Sequence, residues 1–168
     1  MRDTLIILGV CIIAVALGAW LFFVSPNGIP FLSGNSLAAA PVTVLEQGVQ
    51  TPGVTSQVNY RIQNTKDFAT LWKMVYGDNA PTPPTVDFAS DEVLAVFDGQ
   101  HPTGGYTISI TQIVDEKGTR KVYIQHQKPG ASCAATQETT SPFEIISVPK
   151  TSNTITHIDQ VNTTDCAT

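Results

Sequence analysis

The chain has 168 residues with 9 Lys and Arg against 14 Asp and Glu, a formal net charge of −5, so a polyanion would meet repulsion and nucleic-acid binding is disfavoured. Its length leaves room for one domain of roughly 125 residues once an anchor and a linker are set aside, and two domains would be cramped. Charged residues make up 14% of the chain while Thr, Ser, Gln and Asn are plentiful, a balance common in β-rich exported domains.

Residues 5–24, from Leu5 to Val24, run without a charge or a side-chain amide. At about 1.5 Å per residue they would span the roughly 30 Å hydrocarbon core of a bilayer. Trp20, Phe22 and Phe23 crowd one end and Arg2 with the amino terminus the other, which predicts a single anchor with residues 1–4 cytoplasmic and the remainder outside. A cleaved signal peptide is the alternative, with Ser36-Leu37-Ala38 supplying small residues, but that site lies far beyond the apolar run. Leu8-Gly9-Val10-Cys11 resembles a lipoprotein box, yet Val10 is large for the residue before the cysteine. Residues 25–41, rich in Ser, Asn, Gly, Pro and Ala, read as a flexible stalk, and residues 42–168 as the displayed domain.

Within the domain, Val42 to Leu45 and Val58 to Gln63 read as strands. A helix is predicted over Thr65 to Tyr76, because Phe68, Leu71, Trp72, Val75 and Tyr76 share one face, Asn64 or Thr65 can cap it and Gly77 can end it. Three prolines between Asn79 and Val86 predict an extended connector. Val93 to Phe97 is an apolar run suited to a buried strand. Tyr106 to Val114 and Lys121 to Gln127 alternate around a turn at Asp115-Glu116-Lys117-Gly118, and Phe143 to Val148 and Thr154 to Val161 complete the set. The expected fold class is α+β and mainly β, an antiparallel sandwich or half-open barrel with one packed helix. Cys133 and Cys166 are an even number outside the apolar run and are expected to pair, with two free thiols as the alternative. Neither has a second cysteine or a histidine at zinc-ligand spacing.

Catalytic ingredients are scattered. His101, His126 and His157 lack HExxH spacing, and no Gly-x-Ser-x-Gly elbow or phosphate-cradling loop is present. His126 sits in an alternating pattern and reads as a surface or edge side chain. Asp91-Glu92 reads as a solvated strand entrance, since neighbours on a strand point to opposite faces. No catalytic residue, metal or cofactor is expected, and Asn162-Thr163-Thr164 is taken as a chance glycosylation match. The stretch His101-Pro102-Thr103-Gly104-Gly105-Tyr106 is the most informative, because Pro102 presets a turn and Gly104 or Gly105 permits positive φ, giving a rigid loop.

This Pro-Thr-Gly-Gly-Tyr element resembles the C-terminal domain of the protease complex subunit PrcB. The likeness also rests on Lys128-Pro129-Gly130 with Cys133, Thr140-Ser141-Pro142-Phe143 and Val148-Pro149, and runs from about Asn59 to Lys150. The resemblance implies a non-enzymatic accessory domain that associates with and stabilises an extracytoplasmic protease or envelope complex. His101, Pro102, Thr103, Gly104, Gly105 and Tyr106 would form its contact loop, with Pro142 and Phe143 as a second surface. His101 to Tyr106 is also similar in type to the Asn-Pro-Thr-Thr-Gly loop of chagasin-type cysteine protease inhibitors, so direct inhibition is the alternative reading.

Overall fold

The computed structural model describes residues 39–166. The expected anchor and most of the expected stalk lie outside them. The described elements are strands β1 (Thr43–Gly48) and β2 (Val58–Ile62), helix α1 (Thr65–Tyr76), and strands β3 (Asp91–Phe97), β4 (Thr107–Glu116), β5 (Thr119–Pro129), β6 (Phe143–Pro149) and β7 (Thr154–Thr164). The helix has the predicted bounds. Asn64 Oδ1 accepts the Asp67 N–H at 2.9 Å, and Gly77 ends the helix at φ 72°.

The strands form two sheets, in the orders β1-β6-β3-β2 and β4-β5-β7. They do not close into a barrel, and the helix packs on the outer face of the first sheet. The first sheet is antiparallel throughout, whereas β7 joins β5 in parallel. β3 explains the layering. Val93, Ala95 and Phe97 turn to the helix, where they meet Phe68, Leu71, Trp72 and Val75, while Leu94 and Val96 turn to the second sheet, where they meet Val122 and Ile124. A strand buried on both faces reads as a continuous apolar run, as Val93 to Phe97 does.

The second sheet meets the first through an apolar layer with charges at both ends. Along β3 the side chains facing the second sheet are Glu92, Leu94 and Val96, followed by Asp98 just past the strand; along β5 the buried row is Arg120, Val122, Ile124 and His126. Each row reads polar, apolar, apolar, polar. Glu92 Oε1 accepts from Arg120 Nη1 at 3.0 Å at one end, and Asp98 Oδ1 meets His126 Nδ1 at 2.5 Å at the other. Glu92 is therefore fully buried, not the solvated entrance its sequence context suggests, because it finds Arg120 across the layer and Arg61 Nε at 2.8 Å beside it. A third acid, Glu144 on β6, accepts the Ile110 N–H at 2.5 Å where a bulge interrupts β4. Burial pushes its carboxyl above the usual range, and the Ile110 N–H opposes that rise.

Two features at the domain's margins bear on the sequence reading. Ala39 bridges to Val114, and the Ala40 N–H donates to the Ile113 carbonyl at 3.3 Å, so the chain is already laddered on β4 before β1 begins. Cys133 and Cys166 form a disulfide, which ties the end of β7 to the loop after β5.

Candidate functional site

The stretch 98–106 leaves β3 and returns as β4, passing over the polar end of the inter-sheet layer. Backbone groups of Asp98, Gln100, His101, Thr103 and Gly104 fasten it. The Asp98 N–H donates to the Pro142 carbonyl at 3.0 Å and the Gln100 N–H to the Thr55 carbonyl at 3.0 Å. His101 and Thr140 exchange backbone hydrogen bonds at 2.8 and 3.0 Å, and Thr140 Oγ1 donates to the Thr103 carbonyl at 2.8 Å. The Gly104 N–H reaches the Thr136 carbonyl at 2.9 Å. Gly104 is buried so closely that an added Cβ would lie 2.2 Å from Thr136 Oγ1. Gly105 carries the positive φ, 90°, against Pro129. Of the two glycines the sequence offered for that conformation, Gly105 takes it, while a Cβ on Gly104 would require Thr136 Oγ1 to move.

These ties place the His101 and Tyr106 rings face to face, with centroids 3.8 Å apart and planes within 2°. The pair walls a cleft of about 330 Å³ that also exposes Gln57, His126, Asp159 and Val161. Pro102 stands outward beside it. A cleft of about 400 Å³ between β1 and β4 is larger, but its lining, which includes Val49, Ile108 and Phe143, holds no titratable side chain. The smaller cleft has the chemistry.

At its base lies a chain of four groups. Asp159 Oδ1 meets His126 Nε2 at 2.9 Å, His126 Nδ1 meets Asp98 Oδ1 at 2.5 Å, and Asp98 Oδ2 meets His101 Nε2 at 2.7 Å. Both nitrogens of His126 lie within hydrogen-bonding distance of carboxyl oxygens, an arrangement that favours the protonated ring. Burial disfavours that charge, but the hydrogen bonds and charges of Asp159 and Asp98 outweigh it and raise the His126 pKa above its ordinary 6.5. His126 thus links the end of β3 to β5 and β7 beneath the loop.

The sequence reading placed His126 at the surface, yet it is 8% exposed. The signal was present in the period-two row Arg120, Val122, Ile124, His126, whose last member shares the apolar face. His157 stays apart from this chain of hydrogen bonds. Pro142 and Phe143, expected to offer a second contact surface, are buried, with Phe143 stacked on Phe97 at 5.9 Å. Among the described residues no group of three or more His, Cys, Asp or Glu side chains is arranged to hold a metal ion.

The His126 pairing has a pH consequence. A folded pKa above the unfolded value contributes stability that is complete below about pH 6.5 and is lost as pH rises through the raised folded value. Thermal melts from about pH 6 upward are expected to show the midpoint falling across that window. A His126→Gln variant is expected to start lower and to flatten the fall; an unchanged slope would show that His126 is not charged in the folded domain.

Residues 93–149 match the family model described as PrcB C-terminal. The match runs from β3 to the end of β6 and takes in Asp98, the 101–106 loop, His126 and Cys133, about a third of the chain. It is narrower than the likeness read from the sequence, since α1 and β2 fall outside it. No curated protein and no solved structure matches the chain.

Proposed function

We propose, from the premise that residues 93–149 are of the PrcB C-terminal family, that the chain is an accessory subunit that binds and stabilises a protease complex. The 101–106 loop and the cleft beside it form the contact surface. The observation that carries this reading is the loop itself: a matched, multiply fastened turn that presents Pro102 and a stacked His101–Tyr106 pair over a cleft whose acids and histidines are hydrogen-bonded to one another. A preformed surface loses little conformational freedom on binding, and an aromatic side chain supplies contact area with few rotors to fix. Residues 5–24 are the proposed membrane anchor, with the domain on the non-cytoplasmic side, a placement that suits the Cys133–Cys166 disulfide.

The test is a crosslinking pull-down of the full-length chain from its own membranes, beside a Gly104→Val, Tyr106→Ala variant whose folding is checked by thermal melting. Capture of a protease by the native chain is expected to fall roughly tenfold or more in the variant, the scale of an interface anchor. Equal capture by both would move the contact elsewhere on the domain. Captured protease that gains activity when the chain is released would favour the inhibitor reading over the stabilising one.

A further inference from the structure

The four sheet edges are not alike. β1 is interrupted by a bulge between Val44 and Glu46, β2 is only 5 residues long, and β4 has its own bulge and is partly covered by Ala39. Bulges, short length and covering segments are the ordinary means of preventing edge-to-edge pairing. β7 has none of them. It runs 11 residues in unbroken register with β5, pairs on that side alone among the described residues, and contains no proline, glycine or lysine. Seven of its residues are β-branched and nine are exposed, Val161 to 62%.

We infer that β7 is a self-pairing edge, joining the β7 of a second copy of this chain in an antiparallel, two-fold pair centred on Ile158. The sequence of the strand selects both the occupant and the register. With Ile158 opposite its own copy, His157 falls opposite Asp159 and Ile155 opposite Val161, each twice by symmetry, and Thr156 falls opposite Gln160. Opposite charges or hydrogen-bonding partners and apolar pairs directly across an antiparallel ladder are favourable, and like charges there are unfavourable. Moving the centre to Asp159 sets two carboxylates against each other. Moving it to His157 sets Ile155 against Asp159. Of these three registers, the one centred on Ile158 satisfies every pair named, and a two-fold interface must be self-complementary in this way. Asp159 can serve it while bonded to His126, because its side chain remains 44% exposed. Ile155 of the second copy would then lie against Val161, at the rim of the cleft beside the 101–106 loop.

Cysteine crosslinking of the full chain in mild detergent tests the register. With Cys11→Ser as background, Ile158→Cys is expected to form a disulfide-linked dimer, since residues on the two-fold axis sit about 5 Å apart between Cα atoms. Thr156→Cys alone is not expected to do so, because each copy lies about 13 Å from its own equivalent, but mixed with Gln160→Cys it should crosslink. His157→Glu sets acids opposite each other twice and is expected to weaken the dimer roughly tenfold by sedimentation, without changing the melting of the monomer. A chain that stays monomeric, or Thr156→Cys crosslinking as well as Ile158→Cys, would overturn the proposal. So would Ile158→Cys crosslinking to a different polypeptide only.

Discussion

Replacing Glu92 by alanine is expected to cost about 3–5 kcal/mol of folding free energy, the range for removing one partner of a buried ion pair. Glu92 is wholly buried, and its two oxygens serve Arg120 Nη1 at 3.0 Å, Arg61 Nε at 2.8 Å and Gln63 Nε2 at 3.0 Å. Arg120, with 2% of its side chain exposed, cannot escape to water when Glu92 is lost. It retains Asp115, at 2.9 and 2.7 Å, and the Pro149 carbonyl at 2.7 Å, but those bonds draw it toward the rim and leave the inner side of the guanidinium unanswered. Arg61 is 29% exposed and can rehydrate, so Arg61→Ala should cost far less. For a domain of this size the Glu92→Ala loss corresponds to a midpoint about 10–20 °C lower in a thermal melt. A Glu92→Ala melt within a degree or two of the native one would show that the pair contributes nothing net.

The second large effect is expected from the disulfide. Cys133 and Cys166 are 33 residues apart with Cα atoms at 5.1 Å, and a closure of that length constrains the unfolded chain by roughly 3–4 kcal/mol on the chain-entropy account. Reduction, or Cys133→Ser with Cys166→Ser, should therefore lower the midpoint by about 10 °C. It should also loosen one place in particular. The loop after β5 supplies the Thr136 carbonyl that holds the Gly104 N–H, and the disulfide fastens that loop to the end of β7, where the Gly130 N–H already meets the Thr164 carbonyl at 2.9 Å. Hydrogen exchange at Gly104 should quicken on reduction while Val93 to Phe97 stays protected. Unchanged melting and exchange in the reduced protein would mean that the bridge adds nothing to the noncovalent fold.

What the sequence made legible follows the range of the forces involved. Helix α1 was readable to the residue because its stop and start are local: Asn64 caps, Gly77 ends, and five apolar side chains recur at helical spacing. The turn at Lys117-Gly118, where φ is 48° and 80°, is equally local. The 101–106 loop was found by its own Pro and Gly residues. What was missed depends on which strands stack. Glu92 and Arg120, or Asp98 and His126, are 28 residues apart, and nothing local says that β3 and β5 face each other. The rows were nonetheless written in period two, acid before and after Leu94 and Val96, cation before and after Val122 and Ile124. A polar residue that ends an apolar period-two row, as His126 does after Val122 and Ile124, shares the buried face of that row. The parallel β5–β7 pairing, which delivers Asp159 to His126, has no comparable signature in the sequence. Phe143 was misread because a Pro-Phe pair after a polar loop looks like an exposed corner until Phe97 is known to lie beneath it.

The measurement closest to the central claim is site-specific photo-crosslinking in native membranes, with a photoreactive phenylalanine analogue placed at Tyr106 and, in a separate chain, at Lys66 on the exposed side of α1. A covalent adduct with a protease is expected from position 106 and none from position 66. Adducts with a protease from position 66 alone, or no protease adduct from either, would contradict the assignment of the 101–106 loop as the surface through which this domain meets its complex.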